Sequence, residues 1–202
     1  MNNPVNPVGH IIRKNPEDRW GYEGSFYQYV LAGNGLFVEG GNDLLWARVL
    51  VAEAEVRALE PLEPGLELKH GKVSDAMGLN IIGLLLHSDV ELYLAVLHGR
   101  LGYELHRPSQ EQGPTHTRYE RPQGRVLFEV HSHPKMKAFF SMTDTQDEQG
   151  LGVYGVMGDH AGRPALRLRV GVYGYFAPVR WGQVFESPLP DPFVDYGEVN
   201  DG

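Results

Sequence analysis

Glycine and proline punctuation constrains this chain more than any other feature: 25 Gly and 14 Pro are distributed through 202 residues. Proline removes a backbone donor and glycine raises the entropic cost of order, so many turns between short elements are expected. The apolar runs between these breaks have a β texture. FYQYVLA, LFVEG and LLWARVLVAEAEV are separated by Gly33-Asn34-Gly35 and Gly40-Gly41-Asn42, which reads as a small antiparallel meander. Pro61, Pro64 and Gly65 then mark a seam, while residues 1 to about 20, interrupted by Pro4, Pro7 and Pro16, read as a loose arm.

Beyond the seam the periodicity changes. Ser74-Asp75 can cap a helix in which Met77, Ile81, Leu84 and Leu85 recur at helical spacing, ending near 87–89. Strands follow in ELYLAVL and YELH, and 107–124, rich in Pro, Gln, Gly and Thr, reads as an exposed loop. RVLFEV is a strand leading into His131-Ser132-His133-Pro134; a helical stretch begins at Ser141, and two strands, GVYGVMG and ALRLRVGVYGYFAPV, complete the run. The expected organisation is an arm and meander over 1–65, a main domain over 66–186 and an acidic, proline-rich tail over 187–202. The expected class is α+β, a mixed curved sheet flanked by helices.

Charge narrows the partners. Lys and Arg total 18 against 26 acidic residues, a formal charge of -8, so no basic field exists to hold a phosphate backbone and nucleic acid is not expected. No apolar stretch of spanning length and no secretory n-region with h-region is present, so a soluble, cytoplasmic protein without membrane contact is expected. Without cysteine there is no disulfide framework and no thiolate site, so any transition metal must be held by His, Asp or Glu.

One constellation suits that restriction. His131 and His133 are one residue apart at a strand exit, so the two-residue side-chain period aims both imidazoles to one face. Asp144 follows eleven positions after His133, at the start of the next helix, where a loop containing Pro134 can return its carboxylate to the two rings. Two neutral imidazoles and a carboxylate suit zinc and leave a fourth position open, as in catalytic rather than structural sites.

H-S-H-P, six residues, then S-M-T-D resembles the JAMM (JAB/MPN-plus, Mov34/PAD-1-like) metallopeptidase pattern. The resemblance implies a JAB/MPN-like fold with cytidine-deaminase-like layering, one Zn2+ per chain on His131, His133 and Asp144, and hydrolysis of a peptide or isopeptide bond. It also implies an upstream glutamate as general base for the metal-bound water, and Glu91, about forty residues before the histidines, is the matching position. The surrounding ELYLAVLHG departs from the family's glycine-and-leucine pattern there, and Glu104 and Glu129 compete for the role. By the same analogy Ser141 donates a hydrogen bond to the developing oxyanion. KAFFSMTDTQDEQG, GVMGD, GNGLF, GLELKHG and TRYERP further resemble the protein A family of the bacterial PRTRC cassette, over about 25–185. That cassette includes a ThiF-related (E1-like) member, so the likeness implies a ubiquitin-like protein substrate and a ThiF-type partner.

Other readings stand beside this one. Ser141 followed three residues later by Asp144 is also a helix capping pattern that needs no metal, and both roles are compatible. A catalytically silent MPN-like scaffold would use the same surface to bind a protein. An amidohydrolase-type barrel also places H-x-H after a strand, but such barrels need about 250 residues. Gly152, Gly155 and Gly158 recur every third residue on a strand and do not form a phosphate-binding loop.

Overall fold

The structure is a computed structural model that describes residues 6–15, 17–112, 117–120, 122–160 and 162–196. The chain forms two compact units. The first holds residues 1–69 with the returning segments 149–151 and 171–177, and the second holds 70–148, 152–170 and 178–202.

The first unit is built on a six-stranded sheet of β1 (Val8–Arg13), β2 (Arg19–Tyr22), β3 (Tyr27–Ala32), β4 (Gly35–Gly41), β5 (Leu45–Glu53) and β6 (Gly65–Leu68). Its order is β2-β1-β3-β4-β5-β6. The meander β3-β4-β5 is antiparallel throughout, as the Gly-Asn turns predict. The stretch expected to be a loose arm instead supplies two strands among its described residues: β1 lies parallel to β3, with Val8 opposite Tyr27, and β2 pairs back on β1. Pro7 sits just before the first strand residue, where its missing N–H breaks no ladder bond.

The apolar face of this sheet buries Ile11, Val30, Ala32, Phe37 and Leu62. Asn34 ties the seam segment to the meander, its amide donating to the Leu62 carbonyl at 2.8 Å and accepting from the Leu62 N–H at 2.9 Å. The segment 171–177 packs within this unit through Tyr173, stacked on Tyr27 at 5.2 Å, and Tyr175, whose hydroxyl meets that of Tyr29 at 2.7 Å.

The remaining elements are α1 (Asp75–Leu86), β7 (Tyr93–Gly99), β8 (Gly102–His106), β9 (Gln110–Gln112), β10 (Thr117–Tyr119), β11 (Val126–Lys137), α2 (Met142–Asp147), β12 (Leu151–His160), β13 (Arg163–Val172), β14 (Tyr175–Val179), α3 (Trp181–Val184) and β15 (Val194–Asp195), all in the second unit except residue 151 of β12, 171–172 of β13 and 175–177 of β14. The main sheet runs β14-β13-β12-β11-β7-β8, with β15 added beside β13. It is mixed, because β11 is antiparallel to β7 and parallel to β12. The expectation of an α+β protein with a mixed sheet and helices holds.

Three expectations change. The 107–124 region carries an antiparallel pair, β9 with β10, rather than an unstructured loop, with 113–116 and 121 outside the described residues. ALRLRVGVYGYFAPV is two strands, split at Tyr173 and Gly174, whose φ values of 50° and 91° are those of a tight primed hairpin turn. The tail is not wholly frayed, since Val194 pairs with Ala165; residues 197–202 lie outside the described residues.

The core of this unit buries Leu94 and Val96 of β7, Leu127, Phe128 and Val130 of β11, and Leu166 and Leu168 of β13. Ile81, Ile82 and Leu85 supply the buried face of α1. Phe185, just after α3, stacks on Trp181 at 3.6 Å and meets Phe128 edge-on at 5.6 Å. A Cβ on Gly78 would come within 2.9 Å of Trp181 and 3.0 Å of Phe185, so the absent side chain lets α1 approach these rings. Among the described residues no helix is long and apolar enough to cross a membrane.

Candidate metal centre

β11 runs on through the His-x-His segment rather than stopping before it. His131 is still in register, opposite Tyr93 of β7 and Val156 of β12. The ladder then slips: Ser132 faces Met157, but the next paired residue is Lys137, opposite Asp159. Residues 133–136 therefore bulge out of the sheet, and Lys135 adopts φ 63° within the bulge. Gly158 allows this, because a Cβ there would lie 2.4 Å from the Ala138 nitrogen and 2.6 Å from the Met136 oxygen. The glycine is needed for close backbone passage, not for phosphate.

The strand period brings the two imidazoles together, with His131 Nε2 3.1 Å from His133 Nε2. After the bulge the chain reaches Ser141, the N-cap of α2, and Asp144, whose Oδ1 lies 3.6 Å from His131 Nε2. The three ligand atoms lie within 4.8 Å of one another. Two donors each about 2.1 Å from a tetrahedral ion are separated by roughly 3.4 Å, and the His131–His133 and His131–Asp144 pairs at 3.1 and 3.6 Å straddle that spacing.

Protonation favours the same use. The ring Nδ1 of His133 lies 3.4 Å from the Lys137 carbonyl oxygen; a proton there directs the Nε2 lone pair toward His131 and Asp144. Burial lowers the His131 pKa from 6.5 to about 4; His133 and Arg169 act in the same direction and Asp144 against it. His131 is thus neutral at physiological pH, as a ligand must be.

Ser141 and Asp144 form a reciprocal capping box: the Asp144 N–H donates to Ser141 Oγ at 3.1 Å, and the Ser141 N–H donates to Asp144 Oδ2 at 2.6 Å. The cap leaves one carboxylate oxygen over, because Oδ2 serves the cap while Oδ1 faces His131. Ser141 Oγ accepts a bond in the cap, which leaves its own hydrogen to donate.

Glu91, His131, His133, Ser141 and Asp144 all line one cavity of about 410 Å³. Glu91 is buried, 7% exposed, and lies two residues before β7 rather than opening that strand. Its place follows from Ser132, the residue between the histidines. The Ser132 N–H donates to the Leu92 carbonyl at 3.0 Å and its Oγ accepts the Leu92 N–H at 3.1 Å, so the residue beside Glu91 is held from both sides.

Of the two competitors, Glu129 lines the same cavity but accepts the Tyr93 hydroxyl at 2.6 Å. Glu104 is on β8, opposite Leu97, and does not line the cavity.

Ser132 and Arg169 are residues that sequence reasoning missed. Arg169 of β13 donates to Glu148 Oε2 through Nε at 2.9 Å and Nη2 at 2.6 Å. Burial holds the Glu148 carboxyl up at about 8 even with the Arg169 guanidinium acting against it, and both Arg169 donors meet one oxygen at hydrogen-bond distance. Glu148 lines the cavity wall. Both residues sit in ordinary strand or loop texture, and only the spatial partner reveals the role.

His131, His133 and Asp144 form a group that could hold a metal ion, set in a mixed sheet with helices. The family model for prokaryotic homologs of the JAB domain matches residues 66–170, just over half of the chain, and the chain belongs to that family. The matched span begins within β6 and ends within β13, and includes Glu91, His131, His133, Ser141 and Asp144. No curated protein matches the chain.

Proposed function

We propose that this protein is a zinc-dependent peptidase that hydrolyses a peptide or isopeptide bond. The carrying observation is the convergence of two imidazole nitrogens and one carboxylate oxygen, at 3.1 and 3.6 Å, in the wall of an open cavity. Without cysteine in the chain, a nitrogen and oxygen donor set of this kind suits zinc better than calcium or magnesium.

His131, His133 and Asp144 would hold the ion. When bound, it supplies Lewis-acid polarisation of a carbonyl and a water more acidic than bulk water. Glu91, buried against the same cavity, takes a proton from the attacking water on its carboxylate and returns it to the departing amine. Ser141 presents its hydroxyl hydrogen to the carbonyl oxygen as negative charge develops there. Phe139, with its ring 4.9 Å from that of His133, forms an apolar edge that excludes water from the reacting bond.

For the substrate we propose the C-terminus of a ubiquitin-like protein, with a ThiF-type protein as partner. The likeness of KAFFSMTDTQDEQG and the flanking segments to the cassette protein supports this reading. The test incubates zinc-loaded protein with ubiquitin-like proteins carrying C-terminal or isopeptide-linked extensions. Cleavage by wild type that is lost in Glu91→Gln with metal retained supports the peptidase. A metal-loaded wild type that binds such proteins and cuts none would instead make it a scaffold.

A further inference from the structure

Resting on the metal reading above, a second question is what holds Asp144 in place. Its helix, α2, has six residues and buries none of them. So short a helix has no stability of its own, since nucleation costs more than one turn returns. The capping box closes its first turn, but both partners of that box are in the segment itself.

Contacts from outside the segment include two anchors. Phe140, one residue before the N-cap, packs on the small cluster of Ala138, Val156 and Ala165. The second anchor is Arg169, which is 8% exposed and fixed in β13. Its guanidinium lies over the Phe140 ring at 3.8 Å, donates to Thr145 Oγ1 at 3.3 Å within the helix, and bonds Glu148, the C-cap, at 2.6 and 2.9 Å. One planar cation thus touches the segment before, within and after the turn that carries Asp144. Only a fork of several donors does this; a lysine ammonium cannot stack and bridge together.

We propose that Arg169 is a positioning residue for the metal site, holding the 140–148 segment so that Asp144 meets the two histidines without itself touching the ion.

The test is zinc affinity of the full chain, measured by competition with a chromophoric chelator, with zinc alone as the probe. Arg169→Lys keeps the charge and loses the fork. Its zinc affinity should fall by roughly 10- to 100-fold, the usual effect of outer partners of metal ligands, while the metal-free protein keeps its circular dichroism spectrum. In an Asp144→Asn background the same change should cost less than about twofold, since there is no ligand left to position. Binding within about twofold of wild type in Arg169→Lys, or an equal loss in both backgrounds, overturns the proposal. If Arg169→Lys does not fold, Glu148→Ala removes the oxygen that accepts both Arg169 donors; it should weaken zinc by about fivefold or more, dependent on Asp144, and no loss overturns the proposal. Wild-type protein that takes no zinc would overturn the metal reading itself, a result distinct from normal binding that ignores Arg169.

Discussion

Ser132 holds Leu92 by two hydrogen bonds, one from its backbone N–H at 3.0 Å and one to its hydroxyl oxygen at 3.1 Å. The residue between the two metal-ligand candidates thereby sets the residue next to the proposed base. Ser132→Ala leaves the Leu92 N–H without its buried acceptor and should cost about 1 to 3 kcal/mol of stability. Because the imidazoles project from the neighbouring residues, zinc content should stay near wild type while the hydrolysis rate falls. Melting curves, elemental analysis and a cleavage assay check the three parts, and an unchanged rate would detach Ser132 from Glu91.

Ser141 has two separable roles, and the choice of substitution separates them. Ser141→Gly keeps most N-cap stability, losing a few tenths of a kcal/mol, whereas Ser141→Ala loses about 1 kcal/mol. Both remove the hydroxyl. Equal losses of activity with unequal losses of stability are expected from paired melting and rate measurements; activity that follows stability would leave only the cap.

Gly158→Ala should be among the most damaging small substitutions. The new Cβ would meet backbone atoms at 2.4 and 2.6 Å, so the bulge that redirects the chain after His133 must shift. Overpacking of this kind costs about 1 to 3 kcal/mol, and zinc affinity should fall with it. Chemical denaturation and metal titration of the variant measure both.

The pH dependence of the metal-free protein follows from His131. Its pKa is lowered by burial from 6.5 to about 4 in the folded chain, so between these values the unfolded chain binds the additional proton. Stability is therefore retained above pH 6.5 and lost progressively as pH falls toward 4, by about 3 kcal/mol in total. His131→Gln should flatten that slope in denaturation curves recorded across this range.

The α+β class and the local spacing of the candidate residues were legible in sequence, and the strand pairing was not. His131, His133, Ser141 and Asp144 occupy spacings that a strand period and a helix cap dictate locally, so their arrangement followed from short-range rules. Glu91 joins them through a 40-residue separation bridged by Ser132, and no local pattern reports such a contact. The N-terminal strands were hidden because β1 is paired in parallel to β3, a tertiary arrangement that proline-broken texture does not announce. Arg169 was illegible for a different reason: in ALRLRV it alternates as an outward polar residue would, yet it is buried against Glu148 and Phe140.

The central claim is that His131, His133 and Asp144 bind one ion, and metal stoichiometry of the purified protein tests it most directly. Elemental analysis should find about one zinc per chain in wild type and Glu91→Gln, and close to none in His133→Ala. Wild-type protein that holds no zinc after reconstitution, or a His133→Ala variant that holds as much as wild type, would contradict the account.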